Sequence, residues 1–344
     1  MVNKVVSLSA LMFLVACGGN PFAVEEEFPE PTEELGGTTN PAASRPISRF
    51  ELRDSQGGGY VTDTTYDAAT GTFTVDGLPF DGINEYNEIT VPGITTPFDL
   101  YEPNPIAEDT VNGIPVDVFL HRAVRGQSTS GDTSFAIIRT GQYINFGFGG
   151  FVFERNGSVT LPQATGASSF AVYNGDYAGV RDFTNRGGLE YVTGNMNITI
   201  DLGDFDGSGA IIGSVTNRQV FDLNGVNVTP QIVAALADDF DNAALTALPA
   251  ISFTVEEGTL SPAGEISGTA RSFPANGDGI SELWEEGRFY GVISGAGADQ
   301  EVVGVIVIQA TDPRFGNAAG ANNDPLGGTT NSVVRETGGF ILYR

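Results

Sequence analysis

Apolar and polar residues alternate along much of this chain in short runs broken by glycine, proline, asparagine and aspartate. That is the pattern of strands with one buried and one wet face. From residue 168 the rhythm is regular and predicts eight strands, at 168–183, 191–203, 210–221, 249–260, 264–273, 287–297, 301–311 and 336–344. In the second of these, Met196, Ile198 and Ile200 alternate with Asn197 and Thr199. The turn-rich stretches 204–209 and 261–263 suit hairpin connections. One segment breaks the rhythm: Thr229 is placed to cap a helix, Pro230 suits its first position, and residues 231–248 follow with helical spacing. Eight antiparallel strands in succession close naturally into an up-and-down barrel, which leaves no exposed edge.

Upstream the strands are shorter. ISRFELRD, GTFTVDGLPF, NEYNEITVPG, FDLYEPN, PVDVFLHRAVRG and SFAIIRTGQYINFGFGGFVFER follow one another, with Asp67 to Gly71 as a loop between two of them. Residues 46–156 are expected to form a small all-β domain and residues 157–344 the barrel. Asn, Thr, Glu, Arg and Ser recur on the strand faces, which argues for a soluble barrel filled by side chains rather than one set in lipid. The predicted class is all-β: a small N-terminal domain, then an eight-stranded antiparallel soluble barrel with one short helix. Gly 46 and Phe 23 against Met 3 agree with twisted strands and tight turns.

Charge narrows the partners. The chain has 43 acidic and 16 basic residues, a net charge of −27, and Lys4 is its sole lysine. Such a surface repels nucleic acid and anionic lipid headgroups. The single cysteine, Cys17, excludes an internal disulfide and any paired-cysteine metal or redox site. It follows a basic start and an apolar run too short to span a bilayer, the shape of a secretory signal. Leu14-Val15-Ala16-Cys17 resembles the bacterial lipobox. That resemblance implies a signal peptide at 1–17, lipidation of Cys17 and a membrane partner through the N-terminal anchor; Gly18 favours the outer membrane. Residues 18–45, rich in Glu, Pro, Thr and Gly, are expected to be a disordered acidic tether.

In the C-terminal half, Gly287-Arg288-Phe289-Tyr290-Gly291, Ala298-Asp299-Gln300-Glu301-Val302-Val303-Gly304-Val305 and Tyr173-Asn174-Gly175-Asp176-Tyr177-Ala178-Gly179 resemble motifs of the transferrin-binding protein B barrel. The resemblance covers roughly 157–344. It implies an eight-stranded barrel preceded by a β handle, here residues 46–156, and the character of a surface lipoprotein. The chain departs from that family in having one handle and one barrel, and a single glycine at Val303-Gly304-Val305. The motif residues are structural, so the resemblance does not extend to transferrin as a ligand.

Candidate chemistry is sparse. Asp204, Asp206 and Ser208 suggest a calcium loop, but Val215 stands where a bidentate glutamate would be needed, so an acidic turn is the better account. Asp238, Asp239 and Asp241 crowd the unfavourable end of the helix dipole and read as a solvated turn. His121 has no second imidazole, nucleophilic cysteine or serine elbow to work with. Glu256-Glu257 and Glu285-Glu286 are adjacent on strands and point to opposite faces, so neither doublet is a carboxylate pair for glycoside hydrolysis; solvated loop ends account for both. The glycines of Phe146-Gly147-Phe148-Gly149-Gly150 precede no helix and make no phosphate cradle. Trp284, the sole tryptophan, is either a ligand anchor in an exposed loop or a plug over a barrel end, and the plug is favoured. No catalytic residue, metal site or cofactor is expected. The leading expectation is a non-enzymatic binding module that takes a protein or small-molecule ligand through barrel-end loops. The alternative is a periplasm-facing structural or envelope-assembly lipoprotein.

Overall fold

The computed structural model describes residues 35–78, 85–103, 120–141, 146–162, 170–201, 211–253, 260–315 and 332–344, with the backbone alone of 110–111, 114–115 and 254–255. The first eleven strands are β1 (Leu35–Gly37), β2 (Ile47–Glu51), β3 (Asp63–Asp67), β4 (Thr72–Asp76), β5 (Glu85–Ile89), β6 (Asp99–Pro103), β7 (Thr110–Val111), β8 (Ile114–Pro115), β9 (His121–Gln127), β10 (Thr133–Thr140) and β11 (Gly149–Arg155). Nine form one antiparallel sheet in the order β1-β2-β11-β10-β9-β6-β5-β4-β3, while β7 and β8 pair with each other. The sheet curls so that the 57–62 segment seals it: Tyr60 N–H donates to Gly149 O and Thr62 N–H to Asp76 O. The curl encloses Val61, Phe73, Val75, Tyr86, Tyr101 and Ile138.

The next eight strands, β12 (Phe170–Phe183), β13 (Glu190–Asp201), β14 (Ile211–Phe221), β15 (Ile251–Val255), β16 (Glu265–Ser272), β17 (Glu285–Ser294), β18 (Glu301–Thr311) and β19 (Val333–Tyr343), close into a barrel in sequence order. Closure is the β12–β19 pairing, from Asn174 opposite Tyr343 to Phe183 opposite Val334. All eight strands expected from the alternation are present, and the all-β class with one helix holds. Inside lie Tyr173, Met196, Ile198, Val215, Phe253, Phe289, Ile306 and Phe340. Where the sheet does not cover it, the outer wall carries Thr193, Asn195, Asn197, Ser214 and Thr216 together with exposed Phe170, Val172 and Ile212.

Five of the barrel strands, β12, β13, β17, β18 and β19, carry outward apolar side chains where the sheet packs against them. Phe98, Phe135, Ile137, Phe151 and Phe153 of the sheet meet Ala178, Val180, Tyr191, Tyr290, Val292, Val303, Val305 and Ile341 of the barrel. Gly339 makes one of these approaches, since a Cβ there would overlap the Phe135 ring of the sheet, while a Cβ at Gly338 would overlap the Tyr177 ring inside the barrel. Polar ties surround the apolar contact. Arg139 is fully buried between Glu51 and Thr337. Arg335 pairs with Asp182 at 2.6 Å and lies over the Phe146 ring. Glu301 accepts from the hydroxyls of Ser128, Ser130 and Thr133, each at 2.9 Å.

Three expectations need correction. The tether was expected to be disordered as far as residue 45, yet β1 pairs with β2, and the carbonyls of Ala42 and Arg45 accept from the Arg155 guanidinium. These backbone bonds order a segment too polar to make a core of its own. Residues 18–34 lie outside the described residues. The helix α1 spans Thr229–Asp239, shorter than the run to 248, and is capped by Val228 without a side-chain bond. Thr229 sits inside it, and its hydroxyl accepts the Val220 N–H of β14 at 2.7 Å, so the strand takes the bond a cap would have made.

Candidate functional site at the far end of the barrel

The barrel has two ends of different character. The near end, where β12 begins, is stopped by apolar side chains: Ala43, Val159, Leu161 and Leu260 pack against the core. Val159 N–H donates to Ala43 O at 2.7 Å. At the far end α1 buries Ile232, Val233 and Leu236 against the barrel, and the hairpin joining β16 to β17 stands beside it.

Below the helix the interior turns ionic. Arg181 of β12 pairs with Glu190 at 2.9 Å and Glu336 at 3.5 Å. Arg218 of β14 pairs with Glu285 at 2.5 Å and Glu336 at 3.2 Å. Arg314 bridges Glu190 at 2.8 Å and Asp312 at 2.6 Å, and Arg186 reaches Glu190 at 3.5 Å. Four guanidinium groups thus alternate with four carboxylates, and the network is neutral. Its remaining lone pairs are used too: Ser272 donates to Glu285 and Tyr177 to Glu336. Burial opposes the charge on Arg218, but Glu285 and Glu336 outweigh it and hold its pKa above the ordinary range. Burial likewise pushes Asp312 up, while the Arg314 hydrogen bond and charge bring it below the usual carboxylate range. Burial, followed by the Glu336 charge, keeps the Tyr177 phenol neutral.

This network corrects the reading of Glu285 as a solvated loop residue. Glu285 is 2% exposed and points into the barrel, while Glu286 turns outward to Arg271. The doublet does face opposite ways, as strand geometry requires. Glu285 and Glu336 are two buried carboxyls around one point, but Arg218 occupies that point, leaving no room there for a substrate between them. Sequence reasoning missed Arg181, Arg218, Glu190 and Glu336. The signal lay in their phase: Arg181 is in step with Tyr173 and Tyr177, and Glu336 with Phe340.

Trp284 stands at the root of the far-end hairpin. It is partly buried against Phe183, Ala310 and Val334 and against the main barrel core. Its indole N–H donates to Thr311 O at 3.4 Å, and the Arg218 guanidinium lies 6.0 Å from its ring. That is the geometry of a plug. Beyond it the hairpin stays ordered, with Trp284 N–H donating to Ser272 O, Glu282 N–H to Pro274 O and Asn276 N–H to Ile280 O. Gly277 N–H donates to Phe240 O and Asn242 Nδ2 to Ala275 O, so hairpin and helix end form one surface.

The other candidates fall elsewhere. His121 opens β9, 4% exposed, with Nδ1 3.3 Å from the Tyr86 hydroxyl; burial, then the Arg122 charge, lowers its pKa to about 4. Asp238, Asp239 and Asp241 are exposed at the end of α1; partial burial and then the Asp238 charge raise the pKa of Asp239. Among the described residues no group of three or more His, Cys, Asp or Glu could hold a metal ion. Asp204, Asp206, Ser208, Glu256, Glu257 and Cys17 lie outside the described residues. Gly147 O accepts from Arg335, and Gly149 and Gly150 open β11.

No family model matches the chain, and no curated protein matches it. Solved structures do. The chain is similar to a double mutant of transferrin-binding protein B from Haemophilus parasuis Hp5, described as a vaccine antigen, at 12% identity and a TM-score of 0.31, over 83% of this chain and 42% of that one. It is similar to a single mutant of the same protein at 9% identity and a TM-score of 0.30, over 89% and 53%. It is also similar to intact Ap-TbpB, with N and C lobes, at 11% identity and a TM-score of 0.29, over 90% and 54%. This chain thus spans about half the length of these structures, and the likeness is one of fold alone.

Proposed function

We propose that the protein is a lipid-anchored outer-membrane or cell-surface lipoprotein acting as a non-enzymatic binding module, with its ligand held by loops at one end of the barrel. The observation that carries this reading is the filled interior. Apolar side chains occupy the near half of the barrel and a neutral ion-pair network the far half, so recognition falls to the outer surface. Buried carboxylates tied to arginine are poor proton shuttles, which supports a binder over a hydrolase. Leu14-Val15-Ala16-Cys17 supports the anchor.

The test is protease shaving of intact and permeabilised cells, with immunoblotting of the folded body, alongside membrane fractionation of Cys17→Ser. The chain after Lys4 has no lysine for a lysine-specific protease, so a broad-specificity protease is used. Digestion in intact cells and release of the Cys17→Ser variant from the membrane are expected. Protection until permeabilisation would refute surface display in favour of a periplasm-facing envelope role. Retention of the variant in the membrane would refute the anchor.

A further inference from the structure

The far-end surface combines exposed apolar side chains with a one-signed charge. Phe273, Ile280 and Leu283 are 45%, 60% and 48% exposed. A scattered exposed leucine means little, but three such residues on one short hairpin do not follow from packing. Trp284 N–H to Ser272 O and Glu282 N–H to Pro274 O bracket Phe273 and Leu283, which therefore sit opposite one another across the hairpin. Ile280 lies at the tip, where Asn276 Oδ1 accepts from the N–H groups of both Asp278 and Ile280. The tip is therefore ordered before anything binds, which removes one cost of association.

Around these residues stand Asp238, Asp239, Asp241, Asp278 and Glu282, all exposed. Stretches 222–250 and 273–284 contain no lysine, arginine or histidine. Nor do neighbouring arginines neutralise the rim: of the arginines only Arg45, Arg53, Arg271 and Arg344 are exposed, and Arg271 is paired with Glu286. Apolar anchors inside an anionic rim fit a partner with the opposite rim. An anionic bilayer or a nucleic acid would be repelled.

We propose that the hairpin between β16 and β17, with the acidic end of α1, docks a cationic amphipathic segment of a partner protein. Leucine-like side chains of the segment cover Phe273, Ile280 and Leu283, and its lysines or arginines meet the five carboxylates. The proposal rests on the binding-module reading and names the site and partner class within it.

A short peptide of alternating leucine and arginine serves as the probe, with serine-for-leucine and glutamate-for-arginine versions as controls. Binding to the full chain is read by calorimetry and by Trp284 emission at the hairpin root. The wild type should bind the leucine–arginine peptide more tightly than either control, and more weakly as salt is raised. The combined substitution Phe273→Ser, Ile280→Ser and Leu283→Ser should weaken binding about tenfold or more. Asp238→Asn, Asp241→Asn and Asp278→Asn together should flatten the salt dependence. The comparison variant Phe170→Ser, Val172→Ser and Ile212→Ser removes exposed apolar side chains at the near end and should bind as the wild type does. Absence of binding by the wild type, undiminished binding by the hairpin variant, or equal loss in both serine variants would overturn the proposal. Undiminished binding by the hairpin variant would leave the binding-module reading standing with its site elsewhere.

Discussion

Replacing Arg218 with methionine tests whether the interior network holds the barrel together. Arg218 is 3% exposed, and it is the group that Glu285 and Glu336 share. In Arg218→Met, Glu285 keeps only the Ser272 hydroxyl, while Glu336 keeps Tyr177 and the longer 3.5 Å contact with Arg181. Removing one partner of a buried ion pair typically costs about 3–5 kcal/mol, because the other charge stays buried and unpaired. The Pro249 carbonyl also loses its 3.0 Å donor. The assay is equilibrium urea unfolding followed by far-UV circular dichroism, with the slope checked for two-state behaviour. Adding Glu285→Gln should restore a large part of the loss, since a neutral amide in place of the carboxylate removes the uncompensated charge. A loss below about 1 kcal/mol, or no recovery in the double variant, would refute the reasoning.

Two further predictions concern the sheet and its seam with the barrel. Gly339→Ala places a methyl against the Phe135 ring and should cost about 1–3 kcal/mol by overpacking, with partial recovery on adding Phe135→Leu; unchanged urea midpoints would contradict the close approach. His121 is buried and neutral, with its pKa lowered to about 4 by burial first and the Arg122 charge second, while the unfolded chain protonates it near 6.5. Its contribution is full above pH 6.5 and is lost as pH falls towards 4, a difference of about 3 kcal/mol. The wild-type minus His121→Gln stability difference, measured across that window, should fall accordingly; a flat difference would show that His121 is accessible to protons in the fold.

The barrel was legible in the sequence because alternation is a local property. Met196, Ile198 and Ile200 declare an inward face whatever the rest of the chain does, and eight such segments leave closure as the way to remove edges. The helix was legible for the same reason, though not its true end. The alternation between Asn, Thr and apolar residues marked the wall that stays wet. What a period of two cannot report is what stands opposite. Val303, Val305 and Ile341 point outward yet are buried, because the sheet covers them. Thr229 looked like a cap until Val220 of β14 took its oxygen.

Charge shows the division most plainly. The net of −27 and the scarcity of lysine are counted directly from the residues, and they weigh against polyanionic partners. That six arginines are buried, and that six buried carboxylates balance them, depends on strands far apart in sequence meeting. Arg218 and Glu336 are 118 residues apart, and each offsets part of the other's cost of burial at an inward position. Sequence determined which positions face in and how acidic the chain is. Only the tertiary structure decided which inward charges are paired, because a buried ion is stable through partners that local pattern does not specify.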